Sequence, residues 1–164
     1  MLATNIKPKN TTTFIKQNQS AKDIATAIVK SIKESEADAK KIAPYLKGSN
    51  KEKSLENIFI FCKNNIKYKK ESSDLQTART LGRILQMKQG DCKHYTTTIA
   101  SLGNALNIPI KLRLISQNLL NSDPTHIYCV STINGKDIII DPVLNNFNQQ
   151  ATYTKKYDIN LKNI

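Results

Sequence analysis

Gly90-Asp91-Cys92-Lys93-His94-Tyr95-Thr96-Thr97-Thr98-Ile99-Ala100-Ser101-Leu102-Gly103-Asn104-Ala105-Leu106 reads as a sharp turn that feeds directly into a helix. Gly90 lacks a Cβ and lets the backbone turn tightly. Asp91 is a strong N-cap residue, and Tyr95, Ile99, Leu102 and Leu106 recur at helical spacing, which gives one buried face. Cys92 then stands in the first turn, where free backbone N–H groups and the positive end of the helix dipole favour a thiolate. A nucleophile so placed needs a base, and the base must come from elsewhere in the chain.

On the C-terminal side, Asn107-Ile108-Pro109 ends the helix, and Ile110, Leu112 and Leu114 alternate with Lys111 and Arg113 as in a half-buried strand. After a polar loop over Gln117 to Pro124 come two β-rich runs, His126 to Ile133 and Lys136 to Pro142, separated by Asn134-Gly135. Asn-Gly between such runs predicts a hairpin with a two-residue type I′ turn. That turn sets Ile133 opposite Lys136, Tyr128 opposite Asp141 and His126 opposite Val143. His126, Tyr128, Asp141 and Val143 therefore share one face, with His126 and Asp141 as diagonal neighbours within reach of each other. Cys129 falls on the other face with Ile127 and Ser131 and reads as structural. The tail from Leu144 to Ile164 carries Phe147, Tyr153 and Tyr157, and either wraps the domain or reaches a partner.

On the N-terminal side, residues 1–19 are rich in Thr, Asn, Lys and Gln and read as a flexible or partner-docked arm. Ser20-Ala21-Lys22-Asp23 resembles a capping box, and Ile24, Ile28 and Ile32 predict one helix running to Pro44, with Glu34 to Lys41 at its solvent fringe. Ser54 is the expected N-cap of a second, buried helix containing Leu55, Ile58, Phe59, Phe61, Cys62 and Ile66, where Cys62 serves as a small core hydrophobe. Lys67 to Gln89 reads as an irregular charged connection that holds Tyr68, Gln76, Arg79 and a short apolar piece, Leu81 to Met87.

The 164 residues suit a single domain. No linker or repeat divides residues 20–164. Three cysteines at wide spacings argue against a disulfide framework. The longest apolar runs fall far short of the ~18 residues of a membrane span, and the N-terminus shows no secretory core. A cytoplasmic location is expected, with incorporation into a virion as the alternative. The formal net charge of +12 invites a nucleic-acid partner. The lysines are scattered, however, clustering only at Lys67-Tyr68-Lys69-Lys70 and Lys155-Lys156, so a solvated basic surface explains most of that charge. His94 points about 200° away from Cys92 on the helix and is assigned a surface or capping role. Cys92, His94, His126 and Cys129 match no paired-ligand spacing, so neither a metal nor another cofactor is expected.

A cysteine at a helix mouth, a histidine opening a later strand and an aspartate on the next strand are the parts of a thiol acyl-transfer site. Cys92 would attack a carbonyl, His126 would shuttle the proton and Asp141 would orient the imidazole. Backbone N–H groups at the helix start, that of Cys92 included, would serve the oxyanion, with Gln76 or Gln89 as candidate second donors.

Gly90-Asp91-Cys92, Thr125-His126-Ile127-Tyr128 and Ile140-Asp141-Pro142, in that order, resemble the G-D-C, H-x-[WY] and D-P signatures of the transglutaminase-like superfamily of papain-type thiol enzymes. The resemblance covers about residues 54–144. It implies an α+β fold in which the cysteine helix packs on an antiparallel sheet, here with additional N-terminal helices. It also implies catalytic roles for Cys92, His126 and Asp141 and a peptide or protein amide as substrate. Hydrolysis is favoured over amine transfer, because no calcium loop or aromatic tunnel is visible. Similar small domains look like bacterial and bacteriophage ones. A catalytically silent virion or scaffold protein, contacting partners through residues 1–19 and 145–164, is the alternative reading.

Overall fold

In a computed structural model, residues 8–15, 20–120 and 123–161 are described. The chain runs through β1 (Thr12–Ile15), α1 (Ala21–Glu34), α2 (Glu36–Ile42), a 3-10 turn (Ala43–Leu46), α3 (Lys51–Asn65), β2 (Lys67–Tyr68) and β3 (Gln76–Arg79). It continues through α4 (Leu81–Met87), β4 (Gln89–Gly90), α5 (Cys92–Ala105), β5 (Lys111–Ser116), β6 (His126–Ile133), β7 (Lys136–Ile140) and β8 (Lys155–Asn160). The main sheet is antiparallel in the order β7-β6-β5-β8; β1 pairs antiparallel with β3, and β2 pairs parallel with β4. The fold is α+β, and no helix among the described residues is long and apolar enough to cross a membrane.

Helix α5 is the axis of the molecule. It packs on β6 on one side and on α1, α2, α3 and α4 on the others. Every residue from Lys93 to Gly103 is buried, not only the apolar stripe that the periodicity predicts. Threonine makes this feasible. Thr97 and Thr98 return their hydroxyls to the carbonyls of Lys93 and His94, and Thr96 donates to Ile127 O, so the polar faces carry their own partners into the core. Asn107 ends the helix in a left-handed conformation (φ 56°), with Ile108 N–H on Gly103 O and Asn107 N–H on Asn104 O.

The helix expected from residue 20 to Pro44 is two helices. Ser20 and Asp23 form the predicted capping box, but the chain breaks at Ser35. The fully buried Ser35 hydroxyl donates to Ser31 O (2.6 Å) and accepts the Leu81 N–H (2.8 Å), so it caps α4 rather than continuing α1. The expected solvent fringe is turned inward in part, since Asp38 and Ala39 are buried and Asp38 accepts the Lys9 N–H. Helix α3 starts one turn earlier than read from the sequence. Asn50, not Ser54, takes the capping bond, from Lys53 N–H at 2.8 Å.

The connection over residues 67–89 is not irregular throughout: it contains β2, β3 and α4 and opens β4. Within the arm expected over residues 1–19, Thr12–Ile15 pair with β3, whereas residues 1–7 and 16–19 lie outside the described residues. The tail returns as β8 on the free edge of β5. There Asp158 of β8 and Asp137 of β7 both bond Arg113, and this pairing explains how Arg113 is buried on the face where alternation put it in solvent. Behind the sheet, Ile115, Tyr128, Val130, Ile139 and Ala151 form a second, smaller core.

Candidate functional site

Cys92 is held by the turn before it. Asp91 caps α5 by accepting the Lys93 N–H at Oδ1 (3.0 Å), and His94 Nδ1 accepts the Asp91 N–H in return (3.0 Å). His94 is therefore a capping residue and fully buried; the surface alternative does not hold. Gly90 is required by close approach, since a Cβ there would fall 2.5 Å from the His94 Cβ. The Cys92 N–H at the helix mouth takes no protein acceptor among the described residues.

His126 is placed by the hairpin. Asn134 (φ 50°) and Gly135 (φ 76°) form the type I′ turn, and the register runs from Ile133 opposite Lys136 to Cys129 opposite Ile140, as the sequence predicts. Asp141 leaves the end of β7 on the His126 face, and His126 Nε2 meets its Oδ2 at 2.6 Å. The Asp141 carboxylate is 2% exposed, and its Oδ1 accepts the Val143 N–H. Lys63 of α3 fixes the following turn by donating to Pro142 O and Leu144 O.

Helix and hairpin are tied one residue beyond His126, where Thr96 donates to Ile127 O and Cys129 Sγ donates to Thr96 O. This clamp sets the first turn of α5 against the start of β6, and Cys92 and His126 line the same cleft. With Nε2 on Asp141, Nδ1 is the ring nitrogen left for the sulfur. Burial alone would lower the His126 pKa, but the Asp141 carboxylate on Nε2 and the neighbouring Cys92 sulfur outweigh it and raise it from 6.5 to about 9. The other two thiols are fully buried, and burial pushes both up.

The three residues predicted from sequence thus converge, at a cleft of about 340 Å³ lined by Cys92, His126, Tyr68 and Gln76 among others. Gln76 is held at both ends, donating one amide N–H to Ser72 O (2.6 Å) and accepting at Oε1 from Lys93 Nζ (2.7 Å). Gln89 lines a separate pocket with Lys69, Ser72 and Arg79.

Sequence reading missed a buried charge network beneath the cleft. Lys93, 5% exposed, bonds the Asp91 carboxylate and lies 3.5 Å from Glu71, which also takes Arg79 (2.6 Å) and the Thr77 N–H (2.7 Å). Glu71, Asp91 and His94 bring ligand atoms within 4.8 Å of one another, but the Lys93 ammonium already supplies a cation to the two carboxylates. The only local signal was a lysine set beside an N-cap aspartate.

A raised folded-state pKa at His126 makes a prediction about stability. The folded protein holds the imidazole charged up to about 9 against 6.5 ordinarily, so the stabilisation is complete below about pH 6.5 and is lost as the pH rises through about 9. The thermal midpoint should fall across that window, and Asp141→Asn should flatten the fall. A wild-type midpoint that rises there, or a slope untouched by Asp141→Asn, would contradict the assignment.

Among solved structures, a candidate protease from Parabacteroides distasonis superposes with a TM-score of 0.56 at 20% identity, over 74% of this chain and 26% of its own. A candidate cysteine protease from Cytophaga hutchinsonii gives a TM-score of 0.50 at 20% identity, over 76% of this chain and 43% of its own. This chain therefore spans less than half of either, and the likeness is one of fold. No curated protein matches the chain. A family model described as a transglutaminase-like domain matches residues 37–164, from α2 through β8. With that match over most of its length, the chain belongs to the transglutaminase-like domain family.

Proposed function

We propose that the protein is a cysteine acyl-transfer enzyme that hydrolyses an amide of a peptide or protein through a thioester on Cys92. The observation that carries this reading is the His126 ring, bonded through Nε2 to buried Asp141 and sharing one cleft with Cys92, whose sulfur helps to raise the imidazole pKa. The thiol proton sits on Nδ1 of His126 before attack, so the Cys92 sulfur adds to the carbonyl carbon as the partner of an imidazolium, and the electron pair of the C=O bond moves to oxygen. The Cys92 N–H faces that oxyanion. On collapse, the C–N bond breaks and the imidazolium delivers its proton to the departing amine. Water then attacks the thioester with Nδ1 as base, releasing the acid and restoring the thiol. Asp141 accepts the Nε2–H throughout, which keeps Nδ1 facing sulfur and stabilises the ring when charged.

Two measurements test this. Iodoacetamide, applied from about pH 5 to about 9, should alkylate Cys92 faster than glutathione and leave buried Cys62 and Cys129 untouched. Reaction no faster than glutathione would favour the rival, a non-catalytic virion or scaffold component that retains the fold. With a glutamine-containing peptide and a labelled primary amine, hydrolysis should exceed incorporation of label; the reverse ratio would make the protein an amine-transfer enzyme.

A further inference from the structure

An oxyanion held by one backbone N–H alone is under-coordinated, and a side chain at the cleft must supply the second donor. Gln76 is anchored by one Nε2–H on Ser72 O and by its Oε1 accepting from Lys93 Nζ, which leaves one N–H, and Gln89 lines another pocket. Lys93 is bound to Asp91 and Gln117 donates to Thr152 O, while Tyr128, whose hydroxyl accepts from Gln150 (2.6 Å), does not line the cleft. Lys70, Thr125 and Tyr68 (43% exposed) are the other polar side chains open to the cleft, and only Tyr68 has a ring contact that fixes its donor.

Tyr68 differs. It lines the cleft, and its backbone lies beside the turn that presents the nucleophile: Tyr68 is opposite Gly90 in the parallel β2-β4 pair, and Lys69 N–H bonds Gly90 O at 2.8 Å. Its ring stacks on Tyr95 (centroids 6.1 Å apart, planes 20° apart), and buried Tyr95 is itself fixed by its hydroxyl on Ile66 O (2.8 Å). The Tyr68 hydroxyl has no protein partner among the described residues. Partial burial, then the negative charges of Cys92, Asp91 and Asp141, raise the phenol pKa, so the group keeps its proton as a donor.

We propose that the Tyr68 hydroxyl donates the second hydrogen bond to the oxyanion formed when Cys92 attacks a carbonyl, alongside the Cys92 N–H. The proposal rests on the acyl-transfer reading and adds a catalytic residue to it. A ring stacked on Tyr95, lining the same cleft as Cys92 and carrying an O–H without a protein partner among the described residues, is suited to charge that develops only in the transition state. The β2-β4 pairing then has a function, since it brings the donor strand and the nucleophile turn together as one unit.

The test compares two reactions of the same sulfur in wild type and Tyr68→Phe, which keeps the stacking ring. p-Nitrophenyl acetate forms the S–C bond through an oxyanion and expels nitrophenolate; iodoacetamide is displaced at a saturated carbon and forms none. In Tyr68→Phe, acylation of Cys92 should slow on the order of 10²-fold while alkylation and the thermal midpoint stay unchanged. Unchanged acylation would overturn the proposal. So would an equal loss in both reactions, which would put Tyr68 on the thiol rather than on the oxyanion. A wild-type Cys92 no more reactive than glutathione toward either reagent would instead bring down the acyl-transfer reading itself, and the Tyr68 role with it.

Discussion

His126→Ala should lower amide turnover by roughly 10⁴ to 10⁶-fold and reduce iodoacetamide alkylation of Cys92 to the rate of an ordinary thiol. The size of the effect follows from one ring serving three steps: it takes the thiol proton, delivers a proton to the departing amine and activates water. Removing it also deprives Asp141 of its 2.6 Å partner, leaving a 2%-exposed carboxylate with the Val143 N–H. A stability loss of about 1 to 3 kcal/mol is therefore expected alongside the kinetic one. Two further variants separate the effects. Cys92→Ala removes a half-buried sulfur and should abolish turnover with the thermal midpoint little changed, and Asp141→Asn should cost about 10⁴-fold by unsettling the imidazole tautomer. Full Cys92 reactivity in His126→Ala would show that the imidazole does not act on the sulfur, and the proposed mechanism would fail at its first step.

The parts of this site that were legible in the sequence are those set by local rules. Asp91 announces a helix start, and Asn134-Gly135 fixes a hairpin register from which the diagonal meeting of His126 and Asp141 follows by counting. The α+β layout was legible for the same reason. Other parts depend on partners far away in the chain. Strands β1, β2, β3 and β4 are two to four residues long, too short for periodicity, and exist only because each finds its distant pair. Ser35 looks like an ordinary helical residue until its hydroxyl is required by Leu81, and only then does the helix break there. Tyr68 reads as one aromatic in a lysine cluster, and its position depends on Gly90 and Tyr95. The network of Glu71, Arg79, Asp91 and Lys93 draws on the β2-β3 connection, β3 and the start of α5, and no single window of sequence contains it.

That network leads to the largest expected stability effect. Lys93→Met should destabilise the protein by about 3 to 5 kcal/mol in urea unfolding, because it removes an ammonium shared by buried Asp91 and largely buried Glu71. The two are not affected equally. Glu71 retains Arg79 and Thr77, whereas Asp91, 4% exposed, would keep only its backbone bond from residue 93 and the His94 ring, whose Nδ1 lies 2.9 Å from Oδ1 and also accepts the Asp91 N–H. The uncompensated charge therefore falls on the residue that caps α5 and orients Cys92. Loss of Cys92 alkylation should accompany loss of stability, although Lys93 has no part in the chemistry. Adding Asp91→Asn, which keeps a capping oxygen but removes the charge, should recover much of the stability. A Lys93→Met protein within about 0.5 kcal/mol of wild type would mean that these carboxylates need no ammonium, and that the first turn of α5 is held by hydrogen bonds alone.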